Sequence, residues 1–376
     1  MKFRVSILAA SALVASLVLL RAPANAGPEK TLTRDPTVPS VDHGWQVVAS
    51  PNSDESINVL AAVASIPGTK DLWAVGYNRA LPPAPSALIE HWDGTQWTLY
   101  PAPPGNDDIL LGVTALSRKN AWAVGKSQGA TSYQTLIQHW NGTSWSTVSS
   151  PNVGSESELR GVVAVSGSSI WAVGNSDHGP LIEHWNGSAW TVSLDLDWGG
   201  GGLNAVGRVP GTKELWAVGG VNGTTLNEHY VRGSWNLVSA PPGAINSVAA
   251  VSATDVWAAG VSVATPRRTL IEHWDGSQWR VVPSPNVSSG DNFLSGLTAV
   301  PGTSKVWAVG WASTESGYGT LTLKWNGSAW KVIPSPSPGD SAGLGGVTAL
   351  SGKNVWAVGD YVLNGIGYDT LVEHYS

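Results

Sequence analysis

Ala121-Trp-Ala-Val-Gly125, followed by Thr135-Leu-Ile-Gln-His-Trp140 and Asn141-Gly-Thr-Ser-Trp145, is one copy of a pattern that the chain writes out seven times. Trp-Ala-Val-Gly begins at Trp73, Trp122, Trp171, Trp216, Trp307 and Trp356, and Trp-Ala-Ala-Gly at Trp257. Successive copies stand 49, 49, 45, 41, 50 and 49 residues apart. Self-similarity at this period, built from short strand-like runs, marks an all-β chain folded as a β-propeller with one blade per repeat.

Each repeat parses into four strands. In the second they are Leu111–Leu116, Ala121–Gly125, Thr135–Trp140 and Trp145–Val148. The first is rich in Gly, Ala, Val and Thr, which suits the crowded strand nearest the axis. The third and fourth are joined by Asn141-Gly142, a pair that fits the positive-φ positions of a type I′ hairpin. Asp93-Gly94, Asn186-Gly187, Asp275-Gly276 and Asn326-Gly327 repeat that turn, and Val231-Arg232-Gly233 replaces it in repeat four.

The tryptophans follow the same grid. Seven head the second strand, five close the third (Trp92, Trp140, Trp185, Trp274, Trp325), and seven open the fourth (Trp45, Trp97, Trp145, Trp190, Trp235, Trp279, Trp330). Tyr230 and Tyr375 close the third strand in the other two repeats. Of 21 tryptophans only Trp198 and Trp311 fall outside the scheme, so the rest are expected to pack blade against blade.

The seventh repeat stops at Leu371–Ser376 and lacks a fourth strand, whereas Gly44–Asn52 is an orphan fourth strand matching Trp279–Asn286. The N-terminal strand should therefore complete the last blade. The expected fold is a monomeric seven-bladed β-propeller of four-stranded antiparallel blades, spanning residues 44–376, whose closure covers the edge that an incomplete last blade would expose.

The first 26 residues read as a secretory signal: Lys2 and Arg4, an apolar run Ile7–Leu20, then Ala24-Asn25-Ala26. The run is shorter than the roughly 20 residues of a spanning helix, so cleavage, export and no later membrane insertion are expected. Residues 27–43 read as a flexible leader. Without the signal, 18 basic and 27 acidic residues leave a net charge of −9, which argues against nucleic acid or an anionic membrane as partner. The chain has no cysteine, so disulfides cannot contribute to its stability.

The repeat Val-Trp-Ala-Val-Gly … Glu-His-Trp-Asn-Gly-Ser-x-Trp resembles a group of exported bacterial β-propeller proteins and is similar to the tectonin repeat. The resemblance covers residues 44–376. It implies the propeller fold and, through tectonin-type propeller lectins, binding of glycans or surface polysaccharide. Kelch repeats match less well, because the double glycine after their second strand is usually single here. Asp-box hydrolases match poorly, because Asp or Asn here abuts Gly.

Six repeats carry a third-strand histidine (His91, His139, His184, His229, His273, His374), and Lys324 takes the seventh place. Five follow a glutamate and His139 follows Gln138. Spread over separate blades, they cannot converge on one metal ion. Neighbours in a strand point to opposite faces, so each is expected to bond an adjacent blade. Asp195 and Asp197, before a run of glycines, form a weak calcium candidate, and no other cofactor is implied. No catalytic motif is present.

One end of the blades carries the second–third loops and the blade-to-blade crossovers, which vary in length and content. Trp198, Trp311, Tyr77, Tyr133, Tyr318, Tyr361 and Tyr368 fall there, with Asp107, Asp108, Asp291, Asp340 and Asp360. Aromatics beside acids suit a sugar ring. The leading expectation is a secreted module binding carbohydrate or another surface ligand through this variable face. A scaffold or adhesion protein for protein partners, and a polysaccharide lyase or glycosidase using loop carboxylates, are the alternatives.

Overall fold

Seven antiparallel sheets of four strands each make up the computed structural model, which describes residues 44–53, 57–79, 86–363, 365 and 367–376. The expected signal and leader, residues 1–43, lie outside the described residues. Among the described residues no helix is long and apolar enough to cross a membrane. In blades 1 to 6 the four strands follow chain order; blade 2, for example, comprises Ile109–Ser117, Asn120–Gln128, Tyr133–Trp140 and Trp145–Thr147.

The seventh blade is composite. Its inner three strands are Ser341–Ser351, Asn354–Val362 and Asp369–Tyr375, and its outer strand is Trp45–Val47. Trp45 pairs with Tyr375, Gln46 with His374 and Val47 with Glu373. The clasp extends past the strand, because Asn52 Oδ1 accepts Thr370 N at 2.8 Å and Thr370 Oγ1 at 3.0 Å. The Ser-Pro-Asn that follows other outer strands does the same. Asn152 holds Thr135 N at 2.9 Å, and Asn286 holds Thr269 N at 2.9 Å.

The core lies between blades, as seven buried clusters, each drawing on two neighbouring sheets. The second-strand tryptophan of each blade meets two rings of the next. Trp73 lies 5.1 Å from Trp140 and 5.2 Å from Trp145; Trp216 lies 5.0 Å from Trp274 and 5.1 Å from Trp279. At the seam Trp307 meets Tyr375 at 4.6 Å and Trp45 at 5.3 Å, and Trp356 meets Trp92 at 4.7 Å. Tilted and edge-on pairs of this kind add about 0.5–1.5 kcal/mol each beyond the area they bury.

Two expectations are corrected. The Asp/Asn-Gly turns are not type I′. Trp92 pairs with Trp97 across a four-residue loop. Asp93 Oδ1 accepts Thr95 N at 2.7 Å and Gln96 N at 2.9 Å, so only Gly94 takes positive φ, at 100°. The aspartate side chain builds the turn that two positive-φ residues would otherwise make. The type I′ pattern occurs instead in the exceptional repeat, where Arg232 and Gly233 take φ of 54° and 90° between the paired Val231 and Ser234.

The histidines bond within their own blade, not to the next. His139 Nε2 meets Asn120 Oδ1 at 3.0 Å, His273 Nε2 meets Asp255 Oδ1 at 2.9 Å, and His374 Nε2 meets Asn354 Oδ1 at 3.0 Å. The same oxygens accept Trp122 Nε1 at 3.0 Å, Trp257 Nε1 at 2.7 Å and Trp356 Nε1 at 2.8 Å. An acceptor two residues before the tryptophan sits on the same strand face, within reach of both rings.

The glutamates do reach across blades. Glu183 Oε2 accepts Ser150 Oγ at 2.8 Å, and Glu90 Oε2 accepts Ser50 Oγ at 2.6 Å. Burial lifts Glu90, Glu183 and Glu272 to about 8 and Glu228 to about 7, and raises Glu373 well above the usual carboxylate range. In blade 2 the equivalent residue is Gln138, a neutral side chain of the same shape.

A carboxyl whose pKa is raised by folding binds more protons in the native than in the unfolded state. Its contribution is therefore complete at acid pH and is lost as pH climbs through the folded value. Burial lowers the His139, His184 and His374 pKa values below the usual 6.5, which acts oppositely but only below that pH. From pH 7 to 9 the melting temperature should fall, and a Glu90→Gln/Glu183→Gln/Glu272→Gln variant should fall less over the same range in a calorimetric series. Closure has its own measure. Trp45→Ala should cost about 3–5 kcal/mol in urea unfolding, as large aromatic truncations in cores do.

Candidate functional site

The inner strand of every blade carries one extra residue at the same point, a β-bulge at Ala61, Leu111, Arg160, Asn204, Asn246, Ser295 and Gly345. Bulges re-aim side chains. Three of these reach along the ring to the next blade. Arg160 Nη1 donates to Asn204 Oδ1 at 2.7 Å, Asn204 Nδ2 to Ile245 O at 2.7 Å, and Asn246 Nδ2 to Leu294 O at 2.8 Å.

Above the bulges, towards the variable face, the sevenfold likeness ends. The residue after the second-strand motif is Tyr77, Lys126, Asn175, Gly220, Val261, Trp311 or Asp360, and its inner-strand partner is Val59, Ile109, Glu158, Gly202, Ala244, Phe293 or Gly343. On the blade 2–3 side a charged cluster forms. Lys126 Nζ lies 2.7 Å from Glu158 Oε2, and Arg160 Nε donates to Glu158 Oε1 at 2.7 Å. Burial pushes the Glu158 carboxyl up, but Arg160 and Lys126 outweigh it and hold it below the usual range. Lys126 Nζ also sits 4.6 Å from the Tyr133 ring centre, a cation–π contact. Two cations on one carboxylate leave a net positive charge there.

The opposite side, over blades 6, 7 and 1, is aromatic and acidic. Trp311 stacks on Phe293 at 5.3 Å and 8°, and Tyr318 leans on it at 5.6 Å. Gly343 of the neighbouring blade lies beside Trp311 and Tyr318, and an added Cβ there would make ordinary contact, 3.7 Å from the Trp311 Cβ. Burial raises Asp360 to about 7 and Tyr77 to about 12, the latter helped by the charges of Asp360 and Tyr368.

Trp311 and Tyr318 thus come together. Tyr361 is buried, at 8% exposure, and offers no free ring face. Asp291 Oδ1 accepts Arg267 N at 2.7 Å, and Asp340 Oδ2 accepts Gly365 N at 2.9 Å, so both hold loops in shape. Asp108 is buried and Asp107 takes a positive φ of 52° in the crossover turn. Trp198 stands apart between blades 3 and 4 and is exposed at 39%. Asp195 faces His178 Nδ1 at 3.5 Å, while Asp197 is exposed. Among the described residues no group of three or more His, Asp or Glu is placed to hold a metal ion. Glu158, Arg160 and Asn204 were missed at the sequence level, because a bulge shifts register without leaving a motif; the signal was a charged pair in a strand otherwise made of small residues.

No protein-family profile matches the sequence, and no curated protein matches it. Solved structures do match in fold. A structure described as YCF48 bound to D1 peptide is 15% identical with a TM-score of 0.59, covering 90% of this chain and 99% of that one. U3-55K is 13% identical with a TM-score of 0.59, covering 89% and 98%. The RRP9 WD40 repeats are 14% identical with a TM-score of 0.59, covering 88% and 97%. At these identities the likeness is one of fold.

Glu158→Ala would strand Lys126 and Arg160 side by side. It should lower the unfolding free energy by on the order of 3–5 kcal/mol, the loss typical when one partner of a buried ion pair is removed. Lys126→Ala, which leaves Arg160 on the carboxylate, should cost clearly less in the same denaturation series.

Proposed function

We propose that the chain is a binding scaffold that takes a peptide segment of a protein partner across the inner-strand ends of its variable face. The carrying observation is the divergence of seven equivalent positions, from Lys126 to Asp360, on strands that are nearly invariant a few residues below. A rigid ring that varies its residues at one rim serves recognition. The rim pairs a cationic flank at Lys126 and Arg160 with an aromatic flank at Trp311 and Tyr318, so an extended segment would be read by charge at one end and by ring contact at the other. One structural neighbour is described with a bound peptide, which agrees with this reading. Export, the expectation set by residues 1–26, would place the partner outside the cytoplasm.

Carbohydrate recognition is the second reading, and Trp198 favours it as an exposed indole beside a glycine-rich turn. The other expected stacking rings serve it less well, since Tyr361 is buried and Trp311 is stacked on Phe293.

Selection of peptides displayed on phage against the full chain should enrich binders. A Lys126→Ala/Tyr133→Ala variant should lose at least tenfold in affinity for them, and Lys353→Ala, in a short turn at the other end of blade 7, should lose none. Peptides indifferent to both changes would sink the reading. A glycan-array signal abolished by Trp198→Ala would put the second in its place.

A further inference from the structure

The end of the ring with the short turns is almost uniform, and the interface between blades 3 and 4 departs from the pattern there. A cavity of about 500 Å³ lies between blades 3 and 4, lined by Trp171, His184, Arg208, Lys213, Tyr230 and Ser168 among others. That volume falls within the roughly 300–1,000 Å³ of small-molecule sites.

Its origin is a local break in the repeat. Five interfaces are filled by the tryptophan that closes the third strand; here Tyr230 stands in that place. The other tyrosine, Tyr375, sits at an interface plugged by Lys324, whose Nζ lies 4.6 Å from the Trp307 ring and 4.9 Å from the Tyr375 ring. At the blade 3–4 interface the residue equivalent to Lys324 is His184, which stacks on Trp171 at 4.0 Å and 27° and does not plug the gap.

A second break supplies chemistry. In blades 2, 5 and 7 an Asn or Asp accepts the tryptophan N–H, but blade 3 has Ser169. Its hydroxyl meets His184 Nε2 at 3.0 Å. Trp171 Nε1 therefore has no partner among the described residues, and unlike Trp73, Trp216 and Trp307 Nε1 it is not sealed from solvent. Arg208 is held in place by Nε on Thr212 O at 2.7 Å and Nη1 on Val165 O at 3.0 Å, which leaves Nη2 available. Lys213 is exposed at the rim, and no carboxylate lines the cavity. Glu214, the residue after Lys213, is turned to His229, with Oε2 3.6 Å from Nε2.

We infer that this cavity is a binding site for a small aromatic carboxylate. The ring would lie against Trp171 and Tyr230, and the carboxylate would accept from the Trp171 N–H, the Arg208 guanidinium and the Lys213 ammonium. Charge-assisted bonds to a fixed guanidinium are the strong kind, and the apolar walls select a flat body over a bare inorganic ion.

Benzoate titrated into the full chain labelled with 15N at its indoles tests this. The Trp171 indole cross-peak should move to lower field and saturate in the millimolar range. Benzyl alcohol, which lacks the charge, and inorganic phosphate, which lacks the ring, should bind at least tenfold more weakly. Tyr230→Trp restores the residue of five other blades and should abolish the shift, and Lys213→Gln should weaken it severalfold. An unmoved Trp171 signal, equal binding of benzyl alcohol or phosphate, or full binding by Lys213→Gln would overturn the assignment. If Tyr230→Trp fails to fold, the lysine variant and the two control ligands still decide.

Discussion

Contact between an indole on one blade and a pair of rings on the next holds this ring together. The chain has no disulfide to fall back on and only 13% charged residues, so cohesion comes from aromatic burial repeated at every seam. Each interface uses the same three strand positions. A sheet that buries a face of small residues around one large ring packs flat against its neighbour, and seven such sheets can turn through a full circle. The short turns at one end and the variable loops at the other hang on this frame without having to stabilise it.

Polar groups caught within the frame are handled by a second repeating device. In blades 2, 5 and 7 an Asn or Asp two residues before the tryptophan accepts a hydrogen bond from the indole and pairs with a histidine on the adjoining strand. On the other face of that strand five blades bury a carboxyl, and in blades 1 and 3 it accepts from a serine of the preceding blade. The first device follows buried polar groups being hydrogen-bonded. The second keeps a titratable group where ionisation is costly, which ties cohesion between blades to the acidity of the medium. Blade 2, with Gln138, is exempt from that dependence.

The architecture was readable in advance because tryptophan is rare and its positions are periodic. Blade number and strand order follow from the spacing, and closure by the N-terminal strand follows from the missing fourth strand of the seventh repeat and the match of residues 44–52 to the end of other repeats. Turn chemistry was misread at Asp93-Gly94, since an aspartate can shape a turn through its side chain as well as its backbone. The histidine partners were misplaced because Asn120, Asp255 and Asn354 look like turn residues until strand pairing brings them opposite. The variable face was legible as a face, but not the exposure of its rings. Nothing in the sequence said that Tyr361 would turn inward or that Phe293 would cover one side of Trp311. The bulge at Arg160 is a matter of register, and register is set by partners far away in the chain.

The pairing of Trp45 with Tyr375 also orders events in time. As the polypeptide emerges from synthesis, its earliest strand has no sheet to join and must wait through six completed repeats before its neighbour exists. Each blade in between can form locally, yet the circle stays an open arc with two sticky rims until residue 375 arrives. Until that contact is made the last blade lacks its outer strand, and its bare edge is one that a second copy of the chain can pair with.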